Sequence, residues 1–294
     1  MIEMEDKPRD ASKAGSDGRG TGSRSDILGD RVETDRNVLD KNGSAASFRG
    51  DVTLSPTSGD SAGDLELLRT ARDVCAPKAI GVVEDNQGIH LTLDRGKCIM
   101  CGMCQATAPT TFKVQSSYAQ PARRLADLVK TQFADLPSVG AIMPIEEIGK
   151  QLSEKVKRTL GRSLAIREVD AGSCNGCDVE VAALINPIYD VARFGVHFVA
   201  SPRHADVLLV TGVCSRNMDL ALRRTYDATP DPKVVVAVGA CACTGGLFGD
   251  TYATSGGISH TVPVDVFVPG CPPRPEAILY GLLLAVDRIG ESAD

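Results

Sequence analysis

Cysteine is the residue with the most chemistry to offer in this 294-residue chain, which contains ten of them. Three stand at strict two-residue gaps, Cys98, Cys101 and Cys104, in the stretch GKCIMCGMCQATAP. Cys174 and Cys177 share one further C-x-x-C step in GSCNGC, Cys75 lies upstream, and Cys214, Cys241, Cys243 and Cys271 follow. Thiols at such spacing either pair as disulfides or, as thiolates, hold soft metals. The first residues carry neither an apolar leader core nor a twin-arginine stretch ahead of one, so a reducing compartment is expected, and with it metal ligation.

The triple run follows the C-x-x-C-x-x-C-x-x-x-C-P pattern of bacterial ferredoxins up to its last ligand, where Ala108 stands before Pro109. In two-cluster ferredoxins the fourth cysteine of each run ligates the other run's cluster, so the missing ligand is sought upstream. In DVCAPKAI, Cys75, Ala79 and Ile80 keep the register of the end of a first run, although its proline is Pro77, one place late. Counting back from Cys75 by the same spacing reaches Ala71, Leu68 and Leu65, all apolar. The pattern therefore predicts one complete 4Fe-4S ligand set, Cys75, Cys98, Cys101 and Cys104, and joint loss of the other at Leu65, Leu68, Ala71 and Ala108. A four-thiolate zinc site is the alternative, but an unbroken C-x-x-C-x-x-C is harder to wrap around one ion than around a cube of iron and sulfur. Between the two runs, GVVEDNQGIHLTLD alternates apolar and polar residues around Asn86-Gln87-Gly88 and predicts a hairpin.

The elements that must position the later cysteines are equally readable. SLAIREVD, VHFVAS, DVLLVTG, KVVVAVGA and VDVFVPG read as strands, the last three nearly continuous in apolar residues, as strands covered on both faces are. Helices fit DVEVAALIN, NMDLALRRTYD and PPRPEAILYGLLLAV between or after them. The fold class expected is α/β with a doubly wound, flavodoxin-like parallel sheet. In such a sheet ligands sit beyond the carboxyl ends of the strands. Cys174 and Cys177 follow the first strand, Cys214 the third, Cys241 and Cys243 the fourth, and Cys271 the fifth, all at that one edge. Glycines flank them in GSCNGC, GAC, CTGG and PGCPP, where backbone N–H groups can approach sulfur. Glu168 and Asp170, just before the first of these loops, read as a solvated strand end, with a proton relay as the alternative.

Ahead of the sheet, residues 65–115 are expected to form a small α+β ferredoxin-like domain and 116–162 a helical connector. Its helix, PIEEIGKQLSEKVKRTLG, sets Ile145, Ile148, Leu152, Val156 and Leu160 on one stripe and stops at Gly161. Residues 1–64, rich in Asp, Arg, Gly and Ser, read as a disordered tail, and 163–294 as the sheet domain. A net charge of −6 with scattered Lys and Arg argues against a nucleic-acid partner. The apolar run AILYGLLLAV is too short to span a bilayer.

The ordered series DAGSCNGCDVEVAAL, YDVARFG, SPRHADVLLVTG, ALRRTYD, VGAC with TGG, and VPVDVFVPGCPPRPEAILYG resembles the small electron-transfer subunit of membrane-bound nickel-iron hydrogenases and formate hydrogenlyases, and the homologous B-type subunit of respiratory complex I. The resemblance runs from about Ile166 to Ile289, and the ferredoxin-like segment is an addition to the minimal family member. It implies a second 4Fe-4S cluster on Cys174, Cys177, Cys241 and Cys271, with Cys214 and Cys243 as small packing residues nearby. The C-x-x-C at Cys174, where complex I subunits carry two adjacent cysteines, favours the hydrogenase branch. The function implied is a non-catalytic, iron-sulfur electron-transfer subunit of an oxidoreductase. It would be cytoplasmic and peripheral to the membrane, with a large catalytic subunit holding nickel and iron, a ferredoxin-like carrier and membrane-arm subunits as partners. A complex I-type quinone oxidoreductase and a stand-alone redox carrier are the competing readings.

Overall fold

A computed structural model of the chain describes residues 49–55, 62–85, 88–131 and 143–292. In chain order, the first half consists of β1 (Asp51–Leu54), α1 (Ala62–Val74), β2 (Ile80–Asp85), β3 (Gly88–Asp94), α2 (Met103–Thr107), β4 (Phe112–Gln115) and β5 (Val129–Thr131). β2 and β3 form the expected hairpin, with Val82 opposite Leu91; the turn residues 86 and 87 lie outside the described residues. β1 pairs antiparallel with β4, Val52 opposite Val114. The core between these strands and the helices contains Leu68, Ala71, Cys75, Leu91, Leu93, Cys98, Cys104, Ala108 and Phe112. Leu68, Ala71 and Ala108, three of the four positions read as a lost ligand set, are thus packing residues.

Two sequence boundaries need correction. Most of the proposed tail lies outside the described residues, but 51–54 form β1, whose four residues are all buried. What composition hid is a buried ion pair: Asp51 Oδ2 accepts from Arg95 Nη2 at 2.6 Å, which lets a charged residue open a core strand. The connector is also less helical than expected. Residues 125–128 form a single 3-10 turn, and β5 then adds a third strand to the hairpin, Lys130 opposite Leu93.

The second half runs α3 (Ile145–Leu160), β6 (Leu164–Asp170), α4 (Gly176–Ala183), β7 (Val196–Phe198), β8 (Val207–Thr211), α5 (Arg216–Ala228), β9 (Val234–Val238), α6 (Gly239–Thr244), β10 (Val266–Val268) and α7 (Pro275–Ser292). Its five strands are all parallel in the order β10-β9-β8-β6-β7. Numbered within this half, that is the 2-1-3-4-5 order of flavodoxin-like folds, with its switch point between β6 and β8. Successive strand residues split between two cores. Val207, Leu209, Val234, Val236 and Val238 face α3, α4 and α7, while Leu208, Val210, Val235 and Ala237 face α5 and α6. This double burial explains why the strands read as unbroken apolar runs. α3 uses the predicted stripe, with Ile148, Leu152 and Val156 buried, and ends at Gly161 in the left-handed region, φ 64°.

The halves touch directly. Ala122 exchanges both backbone hydrogen bonds with Phe267 of β10, at 2.9 and 2.8 Å, and Leu128 is buried in the core on the α5 side of the sheet. Among the described residues, no helix is long and apolar enough to cross a membrane.

Candidate metal centres

In the first half, the cysteine loop is shaped by its own backbone. Asp94 Oδ1 accepts from the N–H of Gly96 at 2.9 Å, and the Asp94 carbonyl accepts from the N–H of Cys98 at 3.1 Å. Met100 and Gly102 then adopt left-handed conformations, φ 55° and 79°, which turn the loop around a common centre. Cys75, Cys98, Cys101 and Cys104 all line one small cavity, together with Val52, Pro77, Ala79, Ile80 and Leu93. Two N–H groups point at sulfur: Ala79 to Cys75 Sγ at 3.3 Å and Met100 to Cys98 Sγ at 3.4 Å. Burial pushes the Cys98 thiol up to about 12, against the lowering effect of the Met100 N–H and with the other three thiols adding to the rise. Burial likewise lifts Cys104 to about 11. Such thiols hold their protons until a metal displaces them.

The second site is assembled from three segments at the carboxyl edge of the sheet. Cys174 comes from the β6–α4 loop and Cys177 from the first turn of α4, Cys241 from α6 just after β9, and Cys271 from the turn after β10. The Ala240 N–H donates to the Gly270 carbonyl at 2.8 Å, which clamps the second and third of these together. Burial pushes the Cys177 thiol well up, and Cys241, Cys271, Asp178 and Cys174 all raise it further, so the other three thiols lie within electrostatic reach of it. Burial, Cys271 and Cys174 raise Cys241 to about 11. Glycines provide the space: a Cβ on Gly239 would stand 2.5 Å from Cys177 Sγ, and one on Gly246 would stand 3.4 Å from Cys241 Sγ.

Each set of four thiols fits a 4Fe-4S group by donor type, by N–H groups or glycine space beside sulfur, and by spacing. Among the described residues no three His, Cys, Asp or Glu side chains converge on a single ion-sized point.

Neither remaining cysteine belongs to a set. Cys214 is buried with Sγ 3.1 Å from Thr261 Oγ1, and its charged neighbours are Asp219, Arg223 and Arg216 rather than another cysteine. Cys243 is buried beside Cys177 but directs its thiol at the carbonyls of Val268 and Ala237, at 3.6 and 3.8 Å.

Sequence reasoning did not find the roles of the residues that hold the Cys174 loop. Asp170 Oδ1 accepts from the N–H groups of Gly172 and Ser173 at 2.8 and 2.7 Å. Asp178 accepts from Thr211 Oγ1 at 2.7 Å and from the Ser173 hydroxyl, whose oxygen in turn accepts from the Asn175 N–H at 2.9 Å. Glu168 is no solvated strand end. Half-buried, it hydrogen-bonds Asp178, and desolvation together with the Asp178 charge raises its carboxyl to about 7.

A model of the family described as NADH ubiquinone oxidoreductase, 20 Kd subunit, matches residues 174–285, a span that begins at Cys174 and contains Cys177, Cys241 and Cys271. A probable membrane-bound hydrogenase subunit of Pyrococcus furiosus is 47% identical over 145 residues, 48% of this chain and 87% of that protein. Formate hydrogenlyase subunit 7 of Escherichia coli is 41% identical over 152 residues, 52% of this chain and 60% of that one. The B-type subunit of the NADH-quinone oxidoreductase of Geotalea daltonii is 48% identical over 115 residues, 39% of this chain and 67% of that one. With a five-stranded flavodoxin-like sheet and nearly the whole hydrogenase subunit matched at this identity, the chain belongs to the NADH ubiquinone oxidoreductase 20 Kd subunit family.

Proposed function

We propose that the chain is a two-cluster electron relay. One 4Fe-4S cluster would sit on Cys75, Cys98, Cys101 and Cys104 in a ferredoxin-like domain, and one on Cys174, Cys177, Cys241 and Cys271 in the sheet domain. Family membership makes the chain a subunit of an oxidoreductase and supports a 4Fe-4S cluster in it; the second cluster, the residue assignments and the named partners are our reading. What supports it is that the four thiols of the first half line one cavity and that Cys241, Cys271 and Cys174 all lie within electrostatic reach of Cys177 in the second. Iron-sulfur clusters move single electrons, so this chain's own task is to place them, shield them and direct N–H groups at their sulfurs.

The catalytic partner is proposed to be a large subunit of nickel-iron type, fed from a ferredoxin-like carrier, in a cytoplasmic assembly docked on membrane-arm subunits. Exposed apolar side chains support a buried subunit contact: Val179 on α4, and Leu247 and Phe248 just after α6, flank Cys177 and Cys241. Anaerobically purified chain is expected to carry about eight iron and about eight sulfide. It should co-purify with a large subunit, nickel should be present, and the complex should evolve hydrogen from a strong reductant. A complex that lacks nickel and reduces quinone instead would assign the chain to the complex I branch.

A further inference from the structure

Among the described residues, the Thr244 side chain joins the segments that carry the two thiol sites. Thr244, the last residue of α6, donates its hydroxyl to the Gly96 carbonyl at 2.9 Å. Gly96 lies two residues before Cys98, and Thr244 three residues after Cys241. The hydroxyl is held in place from its own side: it also reaches the Ala240 carbonyl at 3.2 Å and accepts from the Gly246 N–H at 3.4 Å. Gly96 is equally confined, because a Cβ there would meet Leu125, Asp94 and Leu128 at 3.1, 3.1 and 3.3 Å. Next to Thr244, Cys243 lies within electrostatic reach of both Cys177 and Asp94. The paired backbone bonds of Ala122 and Phe267 also join the halves, but no cysteine of the first half is near Ala122 in the chain.

We propose that the Thr244 hydroxyl is a positioning group that fixes the separation of the two clusters and carries the electronic coupling between them. The inference rests on the two-cluster reading. The route runs from Cys98 through Lys97 to the Gly96 carbonyl, across one hydrogen bond to Thr244, and through Cys243 and Ala242 to Cys241. Covalent bonds and hydrogen bonds transmit electronic coupling better than a gap of the same length, and here the only non-covalent step is the Thr244–Gly96 contact. With clusters held by the two thiol sets, the step would be the transfer of one electron from the reduced cluster of one site to the oxidised cluster of the other. No bond to a ligand is made or broken, and no proton moves.

The test uses the full chain, purified anaerobically and fully reduced with dithionite, with iron content and EPR spectra read side by side. Wild type is expected to show both clusters with magnetic interaction between them. Thr244→Val should keep the wild-type iron content and both individual signals but change the size of the interaction, whereas Thr244→Ser, which retains the hydroxyl, should leave it as in wild type. If the valine variant does not fold, Thr244→Ala, which removes the same hydroxyl without adding bulk, takes its place. An unchanged interaction in an iron-replete hydroxyl-free variant overturns the proposal. So does loss of iron from one site in both hydroxyl-free variants, which would make Thr244 a prop for that site alone. Wild-type protein holding about half the expected iron, with a single signal, would instead sink the two-cluster reading beneath it.

Discussion

At the scale of single residues, the cysteines divide into the eight proposed to hold iron and the two, Cys214 and Cys243, that pack in the core. Cys241→Ser and Cys75→Ala are each expected to remove about half of the bound iron while leaving the other half's EPR signal in place. Cys214→Ala should leave iron content unchanged and lower stability by about 1 kcal/mol in chemical denaturation, the worth of its contact with Thr261. The ligand candidates were legible because C-x-x-C spacing and position after strands are one-dimensional signals. Asp178 was not. Its role rests on Thr211, far away in sequence and brought close only when β8 pairs with β6, and an acidic residue early in a helix ordinarily signals nothing beyond the helix dipole.

At the scale of elements, β6 ends on a carboxyl pair with a readable pH signature. Glu168 has a folded-state pKa raised to about 7 by burial and by Asp178, so the fold favours its protonated form. Its contribution to stability is therefore full below the ordinary glutamate range and is lost as pH rises through about 7. Glu168→Gln should be no more stable than wild type near pH 5 and more stable near pH 8, as thermal unfolding at the two pH values would show. β1 depends on a different device. Asp51→Ala would leave the Arg95 guanidinium buried without its carboxylate, at a cost of about 3–5 kcal/mol. The double change Asp51→Ala with Arg95→Met should recover a large part of that loss in urea unfolding. β8, β9 and β10 were visible in the sequence because double burial leaves unbroken apolar runs. β1 and β5 were not: each is short and carries charged or polar residues, and each exists through pairing with a distant strand.

At the scale of the whole molecule, the N-terminal boundary has consequences for truncation. Removing residues 1–47, all outside the described region, should leave iron content and the EPR signals of both sites intact. Removing 1–60 also takes away β1 and Asp51, and should cost the first site its iron while the sheet site keeps its own. A truncation series followed by iron analysis separates the two. The longer deletion behaving like the shorter would mean that β1 contributes nothing to the first site.

The Ala122–Phe267 pairing has a further consequence, for solubility. β10 is an outermost strand of the parallel sheet, and all three of its residues are buried. Its outward N–H and C=O at Phe267 are occupied by the chain arriving from the first half. An uncovered apolar edge of this kind is a template on which a second molecule can add a strand. The sheet half expressed alone would therefore be prone to sticking to copies of itself, and the appended half acts as a guard on that edge as well as a carrier of thiols.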